Sequence, residues 1–253
     1  MESYLTYLYI FFRCIGFIII TPVFGRRGVP AATKIGFAAL LAFLVYPMVD
    51  SIEYEQDFWS IMIITIKEST VGIVMGFICL LMFSALYVAG EMIDLQMGFS
   101  MVNVLDPQSN SQVPLMGNFF YILAILVFLT VNGHHILIST IIKSYEILPL
   151  DAVYFGQGFL RTIVHNFIEM FVLGIKIAFP VVSVVLVVDV ALGIIARTVP
   201  QMNVFIVGLP LKIAAGTIGM IMVMPMYLIA LDVIYNGMYN NLLTLLRGML
   251  AQP

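Results

Sequence analysis

From Val71 to Ala89 the chain carries no charged side chain. A helix needs about 20 mostly apolar residues to cross a bilayer, and this stretch alone is long enough. Tyr4–Phe24, Leu115–Ile142, Phe167–Ala196 and Asn203–Ile234 are apolar runs of the same kind. Within them the apolar residues are continuous, whereas outer-membrane strands alternate apolar and polar, so the spans are helical. Of 253 residues, 62% are hydrophobic and 10% charged. Soluble domains are nearer about 45–50% and about 25% and could not hide this much apolar surface. The expected fold is therefore all-α: a polytopic integral membrane protein of long broken helices and helical hairpins, in a single membrane-embedded domain over 1–253.

The charges that interrupt these runs are the informative residues. Arg13 lies inside the first run, where an unpaired arginine costs about 3 kcal/mol on insertion scales, so it faces the protein interior or snorkels. The first run is too long and aromatic for a signal peptide and lacks a basic start, so it belongs to the mature fold. The basic loop Gly25-Arg26-Arg27-Gly28-Val29-Pro30, with Lys34, reads as a cytoplasmic loop or an interface anchor. Ile35–Val49 is shorter than a comfortable span, and the acidic stretch Asp50–Asp57 reads as solvated surface. Phe58–Ala89 is broken by Lys67 and Glu68. Gly72 and Gly76, one turn apart, allow close helix approach.

The organising stretch is Ala89–Pro114. If the preceding helix continues, Ser84, Tyr87, Glu91, Asp94 and Gly98 follow i, i+3, i+4 spacing and form a polar stripe, with Gln96 nearby. Such a stripe faces a pore, pairs with another chain or caps loops; it does not face lipid. Gly98–Pro114 then reads as a loop or broken helix, because Asp106-Pro107 starts a turn and Gln108-Ser-Asn-Ser-Gln112 is too polar for lipid. Non-helical backbone at membrane depth survives only inside protein or beside water. Met97, Phe99, Met101, Val104 and Leu105 supply adaptable bulk around it.

Further along, Thr130–His135 interrupts the fourth run. His134 and His135 are adjacent and so poor joint ligands for one metal. Lys143–Arg161 reads as a mixed loop, and His165 and Glu169 as a structural i, i+4 pair. The last two long runs form a hairpin turning near Arg197, Pro200 and Gln201. That turn puts Asp189 and Lys212 at matching depth, where an unpaired charge is costly, so the two are expected to approach. Asn236–Pro253 reads as a polar-edged tail. Cys14 and Cys79, the only cysteines, sit in apolar runs as small buried hydrophobes. No Walker loop, dinucleotide fingerprint, nucleophile elbow or metal set is visible, so neither an enzyme nor a cofactor is expected. The net charge of −3 is too small to point to nucleic acid.

Three stretches together resemble the FliR family of flagellar export apparatus proteins: Ala89-Gly-Glu-Met-Ile-Asp-Leu-Gln-Met-Gly98-Phe-Ser with Asp106-Pro107, Phe128-Leu-Thr-Val-Asn132-Gly133-His134, and Ala196-Arg197-Thr-Val-Pro200-Gln201-Met-Asn-Val-Phe205-Ile-Val-Gly208-Leu-Pro210. The resemblance runs end to end. It implies a core subunit of the type III export gate, one copy per complex with several FliP and FliQ chains, wrapped by FlhB above an FlhA ring. Unfolded flagellar subunits would cross the inner membrane through it, at the flagellar basal body. It implies a FliP-like portion over about 1–165 and a FliQ-like hairpin over about 166–253. It also implies a plug loop over 99–114, with Met97, Phe99, Met101, Val104, Leu105, Asp106 and Pro107 at the gate. The injectisome counterpart and a secondary transporter are the alternatives.

Overall fold

Structure is described, in a computed structural model, for residues 2–26, 28–49, 57–99, 114–201 and 203–250. They form seven α-helices: α1 (Glu2–Ile20), α2 (Ala31–Val45), α3 (Phe58–Met97), α4 (Leu115–Thr130), α5 (Gly133–Ile147), α6 (Gln157–Thr198) and α7 (Val204–Gly248). A short 3₁₀ turn, Tyr46–Met48, extends α2. The only β pairing among the described residues is one isolated bridge, Val153 to Leu250. The chain is an all-α polytopic membrane protein. Four elements are long and apolar enough to cross a membrane, and a fifth if α4 and α5, bent by 72° at their junction, count as one span. At that bend Asn132 adopts φ 58°, a left-handed conformation its short polar side chain tolerates better than most.

Several boundaries differ from the sequence reading, each for a tertiary reason. α3 runs unbroken through Lys67 and Glu68 because both charges have partners: Glu68 bonds Arg13 and Lys67 bonds Asp151. α2 starts at Ala31, so with its 3₁₀ turn the element is long enough to span. Lys143–Ile147 closes α5 and Gln157–Arg161 opens α6, leaving a loop only between Leu148 and Gly156. Residues 236–248 of the expected tail are the last part of α7. Met238, Leu242, Leu245 and Leu246 are buried there on one helical face, which the scattered polar residues conceal.

The chain packs as two compact units. The first comprises 1–82, 128–167 and 235–253. In it α1 lies backbone to backbone on α3. A Cβ on Gly16 would stand 2.7 Å from the Ser69 carbonyl oxygen, and one on Gly76 2.9 Å from that of Phe17. Small residues give membrane helices this close approach. Ile10, Phe17, Ile18, Met75, Ile78 and Cys79 fill the core around the crossing. The loop after α5 is tied to the end of α7 by Tyr154 N donating to Met249 O at 2.8 Å.

The second unit comprises 83–127 and 168–234. Phe83, Leu86, Ile93 and Met97 of α3 are buried there, with Phe120 and Ala124 of α4, Ala178 and Val185 of α6, and Leu231 of α7. Tyr227 stacks on Phe120 at 4.7 Å and donates its hydroxyl to the Phe120 carbonyl at 2.6 Å. A buried phenol needs such an acceptor.

Candidate functional site

The end of α3 and the start of α4 are joined by one carboxylate. α3 ends at Met97, and Gly98 follows it with a φ of 89°, the left-handed conformation that suits glycine after a helix. The Asp94 carbonyl accepts from both Gly98 N and Phe99 N at 3.0 Å. The Asp94 carboxylate accepts from Met116 N at 3.1 and 3.3 Å, which caps the first turn of α4 with an anion where the helix dipole favours one. Nearby, Gly90 of α3 touches Gly117 of α4, and a Cβ on Gly90 would overlap the Gly117 backbone. The chain thus leaves this corner at Phe99 and returns at Pro114. Met101, Val104, Leu105, Asp106 and Pro107 lie outside the described residues. Of the other expected gate residues, Phe99 is half-buried and Met97 fully buried. A Cβ on Gly216 of α7 would stand 2.7 Å from the Met97 side chain.

The residues of the expected stripe take different roles. Asp94 is buried at 4% exposure and serves as the α4 cap, while Glu91 is exposed. Tyr87 is half-buried, its ring 4.9 Å from that of Tyr121, and Ser84 is half-buried. Gln96 donates its amide to Asp189 Oδ2 at 3.0 Å. Asp189 Oδ1 also accepts from Lys212 Nζ, so one carboxylate ties α3, α6 and α7 together. The hairpin turn lies between Thr198 and Val204, with Arg197, Pro200 and Gln201 exposed on it. Asn203 Oδ1 starts α7 by accepting from Phe205 N at 3.1 Å, a standard N-cap role.

Exchanging the charges tests this tie. Asp189→Lys or Lys212→Asp alone leaves like charges facing each other, and each is expected to reduce the amount of assembled protein in membranes. The double exchange is expected to restore most of it, since it regenerates the pair, although Gln96 is placed for the original carboxylate. Equal yields of the double and single variants would show that the pair does not hold the hairpin.

A second cluster, in the other unit, was missed as a set. Arg13 is 1% exposed and Glu68 is fully buried. Arg13 Nε bonds Glu68 Oε2 at 2.6 Å. Its Nη1 donates to the carbonyls of Ser144 (3.2 Å) and Leu148 (3.0 Å) and to Ser144 Oγ (3.2 Å), and its guanidinium lies 4.2 Å from the centre of the Tyr145 ring. Arg13 therefore neutralises Glu68 and caps the C-terminal end of α5, where a cation is favoured. Glu68 Oε1 accepts from Asp151 N at 3.1 Å, and Asp151 bonds Lys67 at 2.8 Å. The sequence signal was the cost of Arg13 in an apolar run. Its partner is far along the chain and could not be read from spacing.

Among the described residues no three His, Cys, Asp or Glu side chains gather as a metal site requires. The arrangement orders helices and loops around two carboxylate hubs. Comparison with known proteins gives this scaffold a context. Residues 4–238 match the family described as bacterial export proteins, family 1. The chain is 39% identical to the flagellar biosynthetic protein FliR of Bacillus subtilis (strain 168), over 99% of this chain and 96% of that one.

The chain belongs to the FliR family of flagellar export proteins.

Two further FliR proteins are similar over almost the whole length: that of Escherichia coli (strain K12), 28% identical over 95% of this chain and 94% of its own, and that of Aquifex aeolicus (strain VF5), 29% over 91% and 90%. Both carboxylate hubs of this FliR-family chain fall within the matched residues. FliR-family membership and several membrane-crossing helices agree with a membrane location.

Proposed function

We propose that this chain is a core subunit of the flagellar type III protein export gate. It would form, with FliP- and FliQ-type chains, the channel through which unfolded flagellar proteins cross the bacterial inner membrane at the flagellar basal body, alongside FlhB- and FlhA-type proteins. The observation that carries this reading is the uneven cover of the long helices. In the most apolar window of α3, 67% of residues are buried, against 28% in α6 and 22% in α7. Phe205, Ile206, Met222 and Ile229 stand more than two-thirds exposed along α7. Exposed faces this large mark lipid or protein contact. A FliP-like part over about 1–165 and a FliQ-like hairpin over about 166–253 would leave the hairpin free to stack on FliQ-type helices. The flagellar names of the relatives favour this over an injectisome role.

Native mass of the tagged chain, gently extracted from cells that make its own membrane partners, tests the reading. A large complex with one copy of this chain among several FliP- and FliQ-type copies is expected. A monomer or homodimer, stable without other chains, overturns it and favours a transporter.

Within this reading, the segment from Phe99 to Pro114 is the plug of the closed channel. Asp94 and the Gly90–Gly117 contact hold its two ends together. Deleting Asp106 to Gln112 is expected to raise the leak of small ions through assembled complexes in vesicles. An unchanged leak removes the plug role.

A further inference from the structure

α3 is 40 residues long, about 60 Å at 1.5 Å per residue, which is twice the roughly 30 Å of a hydrocarbon core. Its length therefore does not say which part lies in the bilayer. Its exposed face does. From Trp59 onward the large apolar side chains of α3 that stand exposed are Trp59, Met62, Ile63, Ile66, Ile73 and Leu80, and the next is Leu95. At about 100° per residue these six fall within about 100° of arc, so they form one stripe. From Trp59 to Leu80 the stripe rises about 32 Å, one hydrocarbon thickness. Glu68 points away from it and Lys67 lies on its flank, and both are ion-paired, with Arg13 and Asp151.

The ends of the stripe carry the chemistry of a boundary. Trp59, the only tryptophan, is 65% exposed, and its one ring contact is the edge of Phe58 at 5.8 Å. Asp57, just before α3, is exposed, with its carboxylate in no ion pair among the described residues. α1 runs parallel to α3, since Gly16 packs on Ser69 and Gly72, and Phe17 and Ile20 on Gly76. About 18 Å before this crossing, Tyr4 and Trp59 stand at about the same level. Tyr4 is 80% exposed, and neither its hydroxyl nor the Trp59 indole has a hydrogen-bond partner among the described residues. Such rings collect where one side is apolar and the other wet, at headgroup level. At the far end α1 closes at Ile20, beside Gly76 and about one turn short of Leu80. The chain turns there, and α2 with its 3₁₀ turn returns over 18 residues, about 27 Å.

We propose that α3 enters the bilayer at Trp59 and leaves it near Leu80, with Trp59 and Tyr4 in one headgroup layer and the stripe against acyl chains. The length selects lipid as the occupant, because a protein partner sets no such thickness. A free carboxylate, an indole without an acceptor and the apolar stripe also follow in the order water, headgroup, hydrocarbon. This surface does not depend on the export-gate reading.

The test uses the full chain with the membrane partners that co-purify, in phosphatidylcholine vesicles whose acyl chains carry bromine, a contact quencher, near the headgroup or near the chain end. The signal of the Trp59→Phe variant, prepared the same way, is subtracted, which isolates Trp59 from any tryptophan of the partners. Shallow bromine is expected to quench Trp59 more than deep bromine. Ile66→Trp, made in the Trp59→Phe chain, lies about 10 Å further along the stripe and should reverse that order. Quenching of Trp59 by neither lipid overturns the proposal. Quenching by aqueous acrylamide would then place the ring in water, and protection from acrylamide as well would show that protein covers it. The same order at both positions also overturns it, because α3 would then lie along the membrane surface. If Ile66→Trp is poorly produced, Trp59 of the unaltered chain still decides whether lipid meets the stripe at this end.

Discussion

Replacing Glu68 by alanine is expected to cost about 3–5 kcal/mol of stability, the usual penalty for leaving a buried charge without its partner. Arg13 is 1% exposed and has no route to water. Without Glu68 its guanidinium keeps only the Ser144 and Leu148 acceptors and the Tyr145 ring. Arg13→Ala is expected to cost as much, because Glu68 is then the stranded charge and the Leu148 carbonyl after α5 loses its donor. The double variant Arg13→Ala/Glu68→Ala should lose clearly less than the two singles added, since both act on one interaction. It should not return to the parent, because the Leu148 carbonyl and Asp151 N lose their side-chain partners. Unfolding of the purified protein in mild detergent, followed by circular dichroism against added denaturing detergent, measures the ranking. Single variants within about 1 kcal/mol of the parent would mean that water or lipid reaches Arg13 in place of Glu68.

The second large effect is at Gly90. A methyl group there overlaps the Gly117 amide backbone, whereas a methyl on Gly117 meets Pro114 and Tyr87 side-chain atoms at 3.2 and 3.3 Å. Backbone cannot rotate away as a side chain can, so α3 and α4 must separate. Gly90→Ala is expected to cost about 3 kcal/mol, the upper part of the usual overpacking range. Gly117→Ala should cost under about 1 kcal/mol, because the Tyr87 ring and the Pro114 ring edge can shift. The same separation would lengthen the Asp94 to Met116 hydrogen bond, so Gly90→Ala should also expose the α3–α4 corner to protease. A cysteine pair bridging the two helices reports the spacing directly: crosslinking should fall in Gly90→Ala and persist in Gly117→Ala. Equal behaviour of the two variants would show that the helices do not meet at these glycines.

Much of the helical layout is legible in the chain itself. The uncharged run Val71–Ala89, the interruption at Asn132 and the polar stretch around Pro200 correspond to the interior of α3, the 72° bend and the α6–α7 turn. The errors share one cause. Lys67 and Glu68 read as a break because their partners, Asp151 and Arg13, are 84 and 55 residues away. The last part of α7 reads as a tail because its buried leucines and methionines are spaced among asparagines, and only their common face shows them as core. At the candidate site, Asp94 reads only as one of a polar stripe that faces a pore, pairs with another chain or caps loops, and it is the packing of α4 that brings the Met116 amide to its carboxylate.

Hydropathy is a local sum along the chain, so the sequence by itself determined that this is a membrane protein of long helices and where most of them turn. Which charges meet is a different quantity. Successive residues on a helix are about 100° apart, and the direction in which Arg13, Asp94 or Gln96 points depends on how each helix is rotated against its neighbours. Glycine contacts between backbones set that rotation. Only the tertiary structure therefore decided that Arg13 belongs to Glu68, that Gln96 shares Asp189 with Lys212, and that Asp94 holds the two ends of the Phe99–Pro114 segment together.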